Sequence, residues 1–282
     1  LHRRRHSFPT RRSSDLPAPP VDPPPPPVDP PPSSNPSGEA PPGDNIPGWR
    51  LVYSEDFNTN RPEGSFGPGE RDVPPEHAGH LGVYADGWPD TAGKPDVLGT
   101  PSRYMPSTVL SVSGGCLVKR LHNAGQGARA AAVMVGDAQL GGRYVVRFKA
   151  DPVPGFKTAW LLWPTSEQWP RDGEIDFPEG SLTGTIEGFM HRQGATSGGD
   201  QDYANSGQTY TDWHTAVIEW RPGQRCTFII DGSIVGDWTN RVPNTPMRWV
   251  IQTESVIDTA TQPPPGTEGR LLIDWIAVYQ PT

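Results

Sequence analysis

Gly173-Glu174-Ile175-Asp176-Phe177-Pro178-Glu179-Gly180 places three carboxylates within six residues, interleaved with apolar side chains. Read as a β-strand, successive side chains alternate faces, so Glu174 and Asp176 share one face and Ile175 and Phe177 the other. Strict alternation would send Glu179 to the apolar face. Pro178 has no ladder donor, and inside a sheet proline is confined to edges and bulges. A bulge at Phe177-Pro178 adds one residue, flips the alternation and returns Glu179 to the face of Glu174 and Asp176. The stretch predicts a bent strand carrying three acids on one face.

Such a face is either an ordinary solvated one or a site. Glycoside hydrolysis needs two carboxyls flanking the scissile bond, about 5–5.5 Å apart for retention and roughly 6.5–9.5 Å for inversion. With the bulge, Glu174 and Glu179 are ~13 Å apart along the backbone at ~3.3 Å per residue, a gap that bending and inward-leaning side chains can close. Asp176 between them would crowd the charges, raise the pKa of one partner and orient a neighbour by a hydrogen bond.

Outward from this stretch the chain reads as strands. Short β-type runs separated by turn signals extend from Trp49–Tyr53 to Leu271–Tyr279, among them Thr158–Trp163, Thr185–His191, His214–Trp220 and Met247–Gln252. Helical periodicity is almost absent, which predicts an antiparallel sandwich or barrel. Asp231-Gly232 is the clearest hairpin turn. The Pro- and Gly-rich span Asn58–Pro106 is too long for an inert connection and predicts functional loops over one face.

The 282 residues include 36 Pro, 32 Gly and 10 Trp, and 15 of the prolines fall within residues 17–47. That segment predicts a disordered linker of polyproline II character. Residues 1–16 resemble the translation of a sequencing-library adapter and are set aside from the fold; on that reading a signal peptide is expected to have been lost upstream. The folded domain is expected over 48–282. Positive and negative charges balance within residues 1–47, so the net charge of −8 belongs to the domain. An acidic domain argues against nucleic-acid binding through a basic field and leaves neutral polysaccharides open. No apolar run is long enough to span a membrane. Cys116 and Cys226 suit one disulfide or two buried thiols equally well, and no Cys/His metal spacing occurs.

Glu174-Ile-Asp-Phe-Pro-Glu179 resembles the E-x-D-x-x-E pattern of family 16 glycoside hydrolases, in the bulged form of their laminarinase-like, agarase and carrageenase members. Similar blocks follow in order: Trp49–Asn58, Gly142–Lys149, Ala159–Pro164 with Trp169-Pro170, Trp213–Trp220 with Asp231-Gly232, and Ile273–Tyr279. The resemblance implies an all-β, concanavalin A-like jelly-roll sandwich of two antiparallel sheets with a concave cleft. It implies Glu174 as nucleophile, Glu179 as general acid/base and Asp176 as the residue tuning them. Trp160, Trp169 and His191 are the implied sugar contacts, and His214 is implied to be structural. Gln252 and Glu254 stand where many laminarinase-like members have Asn and an apolar run; this is a departure that bears on sugar specificity, and alternation along the strand can turn both to the cleft. Asp56 and Asp274 match positions that hold a structural Ca²⁺ in some members, and no cofactor is required.

The implied activity is that of an exported, monomeric, retaining endo-hydrolase of β-linked polysaccharide. β-1,3-Glucan comes first, and agar- or carrageenan-type galactan or transglycosylation are the alternatives. A non-catalytic carbohydrate-binding sandwich would have lost the acids.

Overall fold

The computed structural model describes residues 35–44 and 46–282. The adapter-like stretch 1–16 and the proline-rich residues up to 34 lie outside the described residues. Within them the chain forms β1 (Trp49–Glu55), β2 (Leu81–Val83), β3 (Arg103–Tyr104), β4 (Leu110–Ser113), β5 (Cys116–His122) and β6 (Arg129–Ala130). It continues with β7 (Ala132–Gln139), β8 (Gly142–Ala150), β9 (Phe156–Pro164), β10 (Glu174–Ser181), β11 (Thr185–His191) and β12 (Gln201–Thr209). The last strands are β13 (His214–Arg221), β14 (Arg225–Ile230), β15 (Ser233–Trp238), β16 (Met247–Ser255) and β17 (Glu268–Pro281).

These strands make two sheets. The site sheet runs β12-β11-β10-β9-β16-β7-β2, and the back sheet runs β15-β14-β13-β8-β17-β5-β6-β3, with β1 on β17 and β4 on β5. All pairings are antiparallel except the short β3–β6 contact, as expected for a jelly-roll sandwich. Alternation decides what lies between the sheets. From β9 and β10, Trp160, Leu162, Ile175 and Phe177 point inward and join Phe148 and Phe228 in one apolar core. Phe177 stacks on Phe228 at 4.7 Å between ring centroids.

The Asp231-Gly232 turn forms as read. Both residues have positive φ, 48° and 78°, the signature of the hairpin turn that matches strand twist. Asp231 also accepts from Thr215 N at 2.8 Å and faces His214 Nδ1 at 2.6 Å, so His214 is a structural residue that braces this turn. Cys116 and Cys226 are both buried and free.

Two expectations change. β12 escaped the sequence reading because Gln201–Thr209 is a polar edge strand without an apolar period. The linker expected to reach residue 47 gives way earlier, because residues 35–44 lie on the outer face of the back sheet. There Trp49, Val145, Val217, Trp275, Ala277 and Tyr279 form a second apolar cluster. The Trp275 indole donates to Glu39 O at 2.8 Å, and the Tyr279 hydroxyl reaches Pro42 O and Gly43 O at 2.8 and 3.0 Å. Arg147 pairs with Glu39 at 3.1 Å. Proline-rich chain suits this covering role, since it presents carbonyl acceptors with little conformational entropy left to lose.

A chain beginning at Gly48 is therefore expected to melt several degrees below the full chain, at about 2–4 °C per kcal/mol for a domain this size. Tryptophan emission should shift to the red as Trp275 meets water. Equal melting temperatures would show that the segment contributes nothing.

Candidate active site

The extra residue in β10 is present. Asp176 lies opposite Phe189 on β11 and Leu161 on β9, whereas Glu179 lies opposite Glu187 and Ala159. Two steps on each neighbour correspond to three on β10, which is the bulge inferred from Pro178. Leu161 and Ala159 share the outer face of the site sheet with Val250 and Trp163. Glu174, Asp176 and Glu179 thus stand on that outer face, with side-chain exposures of 12%, 5% and 18%. Gly173 makes the approach to β10 possible. It adopts φ 74°, and a Cβ there would lie 2.6 Å from His191 O, so a side chain is excluded on both counts.

Burial, reinforced by the Asp176 charge, pushes the Glu174 carboxyl well above the usual carboxylate range. Burial and then the Glu179 charge do the same to Asp176. Crowded like charges in a dry site favour retaining a proton within the group. Asp176 Oδ2 is buried without a hydrogen-bond partner. His191 Nε2 lies 3.4 Å from it and 3.8 Å from Glu174 Oε2. His191 Nδ1 meets Gly198 O at 2.8 Å, and since a carbonyl only accepts, Nδ1 carries a proton and Nε2 is the atom turned to the acids.

Around this group the sequence readings divide. Trp169 is 42% exposed and stands edge-on to the His191 ring at 5.9 Å. Gly198 underlies its ring so closely that a Cβ would come within 2.5 Å of it. Trp169 therefore offers an aromatic face beside the acids, suited to the C–H face of a sugar.

Trp160, expected as a sugar contact, is instead fully buried between the sheets against Phe148 at 4.8 Å. Alternation places Trp160 and Trp163 on opposite faces, and Trp163 is the one beside the site, its indole donating to Glu167 at 2.7 Å. Gln252 and Glu254 alternate with Val250 onto the outer face, as expected, but Glu254 is 1% exposed. Its Oε2 accepts from Gln252 Nε2, Tyr104 OH, Thr91 Oγ1 and Thr91 N at 2.9, 2.9, 2.6 and 3.2 Å. Thr91 and Tyr104 come from the long irregular span, which folds over this side of the sheet.

The residue that sequence reading missed is Lys157. It lies two steps before Ala159 on β9, just outside the Thr158–Trp163 run, and one more step of alternation would have found it. Its ammonium donates to Glu179 Oε1 at 2.7 Å and lies 3.8 Å from Glu254 Oε1. Burial would lower its pKa, but the carboxylates of Glu179 and Glu254 override that and hold it above the ordinary range.

Among the described residues one cluster could offer three ligands to a metal, Glu174, Asp176 and His191, which are the side chains just described. Asp56 and Asp274, the positions the resemblance implies for a structural Ca²⁺, belong to no such cluster. Asp274 is fully buried, and its two oxygens accept from Asn35 Nδ2 at 3.3 Å and Ser37 N at 3.0 Å.

The sequence model described as Glycosyl hydrolases family 16 matches residues 122–277. No curated protein matches the chain. Among solved structures, the catalytic domain of an endo-1,3-beta-glucanase (laminarinase) from Thermotoga petrophila RKU-1 is 20% identical, with TM-score 0.63, covering 83% of this chain and 98% of that one. The laminarinase from Rhodothermus marinus is 19% identical at TM-score 0.63, covering 83% and 98%. An endo-acting O-glycanase of the human gut microbiota is 19% identical at TM-score 0.63, covering 86% and 94%. Likenesses at this identity establish the fold.

The upward shifts carry a stability consequence. A carboxyl whose folded pKa is raised costs nothing below its unfolded value of about 4, costs progressively more as pH rises toward its folded value, and costs its full amount above that. Asp176→Asn is expected to melt above wild type at pH 8, with the difference shrinking toward pH 4, while activity falls about 10²-fold or more. A variant less stable than wild type at every pH would show the carboxyl to be net stabilising.

Proposed function

Because this chain belongs to glycosyl hydrolases family 16 and is a glycoside hydrolase, we propose that it cleaves internal bonds of a neutral β-glucan, β-1,3-glucan first, with retained configuration. The observation that carries this reading is the one-residue register shift that returns Glu179 to the face of Glu174 and Asp176. Glu174 would attack the anomeric carbon while Glu179 protonates the departing oxygen. Glu179, now a carboxylate, would then take a proton from the water that hydrolyses the glycosyl-enzyme. Asp176 would hold the shared proton against Glu174 and release Glu174 as the anion that attacks. The carboxyls alone supply these steps.

Relatives of this fold act on different polymers, so the choice of sugar rests on the charges facing it. The cations that β9 and β16 place beside the acids are already neutralised, Lys157 by Glu179 and Glu254 and Arg248 by Glu167. A sulfated galactan would meet a surplus of carboxylates there. A neutral chain stacked on Trp169 meets none of that repulsion. A polymer substrate too large to cross a membrane fits an exported enzyme, and no helix among the described residues is long and apolar enough to span one.

Incubation with laminarin, mixed-linkage β-glucan, agarose and carrageenan is the direct test. Laminarin is expected to yield new reducing ends of retained anomeric configuration by NMR, and Glu174→Ala should lower turnover at least about 10³-fold while the variant remains folded by circular dichroism. Products longer than the substrate would mark transglycosylation. Cleavage of carrageenan but not of glucan would overturn the substrate assignment.

A further inference from the structure

Lys157, Glu179 and Glu254 form a chain of charges that the two-carboxylate reaction does not call for. Lys157 is 12% exposed and Glu254 2% at the side chain, so both ions are nearly withdrawn from water. Burying ions is costly unless they are paired and hydrogen-bonded. Glu254 meets that condition through four donors on Oε2, which leaves Oε1 turned toward the lysine. The lysine in turn donates to Glu179 Oε1. Two of the donors to Glu254 come from Thr91 and one from Tyr104, so the covering loop fixes the far end of the chain and β9 fixes the near end.

We propose that Lys157 and Glu254 are positioning residues for the reaction. Lys157 occupies one oxygen of Glu179 and leaves the other for the leaving group. Glu254 offsets the ammonium so that Glu179 can still carry a proton. The proposal rests on Glu179 being the acid/base. Glu179 begins as the acid, gives its proton to the departing oxygen and becomes a carboxylate, while Glu174 passes from carboxylate to ester. The negative charge therefore moves from Glu174 toward Lys157, and in the second half it moves back as Glu179 takes a proton from water. A fixed cation at Glu179 favours the first movement, and a fixed anion behind it keeps the return possible.

The other titratable groups near Glu179 are Glu174 and Asp176 on β10, Glu187 opposite it on β11 and the buried Tyr210 beyond β12, while His191 farther along β11 lies against Glu174 and Asp176. Glu187 is itself held by Tyr203 OH at 2.8 Å and Asn205 Nδ2 at 3.2 Å. None of these is a cation bonded to Glu179, so among the described residues Lys157 alone supplies that charge. Removing a cation from beside an acid, or an anion from beside its counter-ion, has opposite effects on proton retention.

The test is the pH dependence of kcat/KM on laminarin for the full chain and its variants. Lys157→Met is expected to move the basic limb about one unit to higher pH, a tenfold difference on that limb, and to lower kcat at the optimum. Glu254→Gln, nearly isosteric, is expected to move the limb to lower pH, and Lys157→Arg to restore it. Glu254→Gln decides the matter alone if Lys157→Met does not fold. Activity lost equally at all pH values, with the limb unmoved in both variants, would overturn the proposal. Glu179→Ala separates the two failures. If it is inactive while the limb stays fixed in the others, only this proposal falls. If it turns over normally, the acid/base assignment falls with it.

Discussion

One extra residue in β10 is the constraint on which the site depends. Without it, Glu179 would follow Ile175 and Phe177 into the space between the sheets, where a carboxylate would displace the Phe177–Phe228 stack and lie unpaired in an apolar core. With it, the inner face keeps an unbroken apolar pattern and the outer face gains a third acid. Both neighbouring strands stay regular, and the shift is confined to Asp176–Glu179. The same backbone irregularity thus keeps the core apolar and assembles the chemistry.

Having gathered three acids, the fold has to hold them. Burial and mutual repulsion push Glu174 and Asp176 toward their protonated forms, a cost carried by the surrounding sheet. The strands around β10 are its strongest framework: β9 pairs with β16 through nine successive residues, Met247↔Pro164 to Ser255↔Phe156. Lys157 and Glu254 extend the site across that pairing, and Thr91 of the irregular span and Tyr104 of β3 close over it. Charge that the core could not tolerate is distributed along a hydrogen-bonded line on the outer face.

The opposite side of the molecule solves a different problem. The back sheet presents Trp275 and Tyr279 outward, which an isolated sandwich would leave wet. Residues 35–44 cover them with backbone carbonyls from a proline-rich segment. The boundary of the folded unit therefore precedes the first strand, and composition alone misplaces it, because proline content reports on local stiffness and not on whether a surface is waiting to receive the chain.

Sequence by itself determined much here. The period-two pattern and the turn residues dictated an all-β sandwich. Pro178 amid alternating acids dictated the bulge, and Asp231-Gly232 dictated its hairpin, because each is a local rule of backbone sterics. Alternation also separated Trp160 from Trp163, although only packing decided which of the two turned to the core. Tertiary structure alone decided the rest. Lys157 meets Glu179 across strands, Glu254 gathers donors from a loop more than a hundred residues away, Asp274 spends its oxygens on residues 35 and 37, and polar β12 becomes a strand through an edge it did not itself specify. These are contacts between distant segments, and no local pattern of charge or hydrophobicity encodes which partner a side chain will find once the sheets have closed.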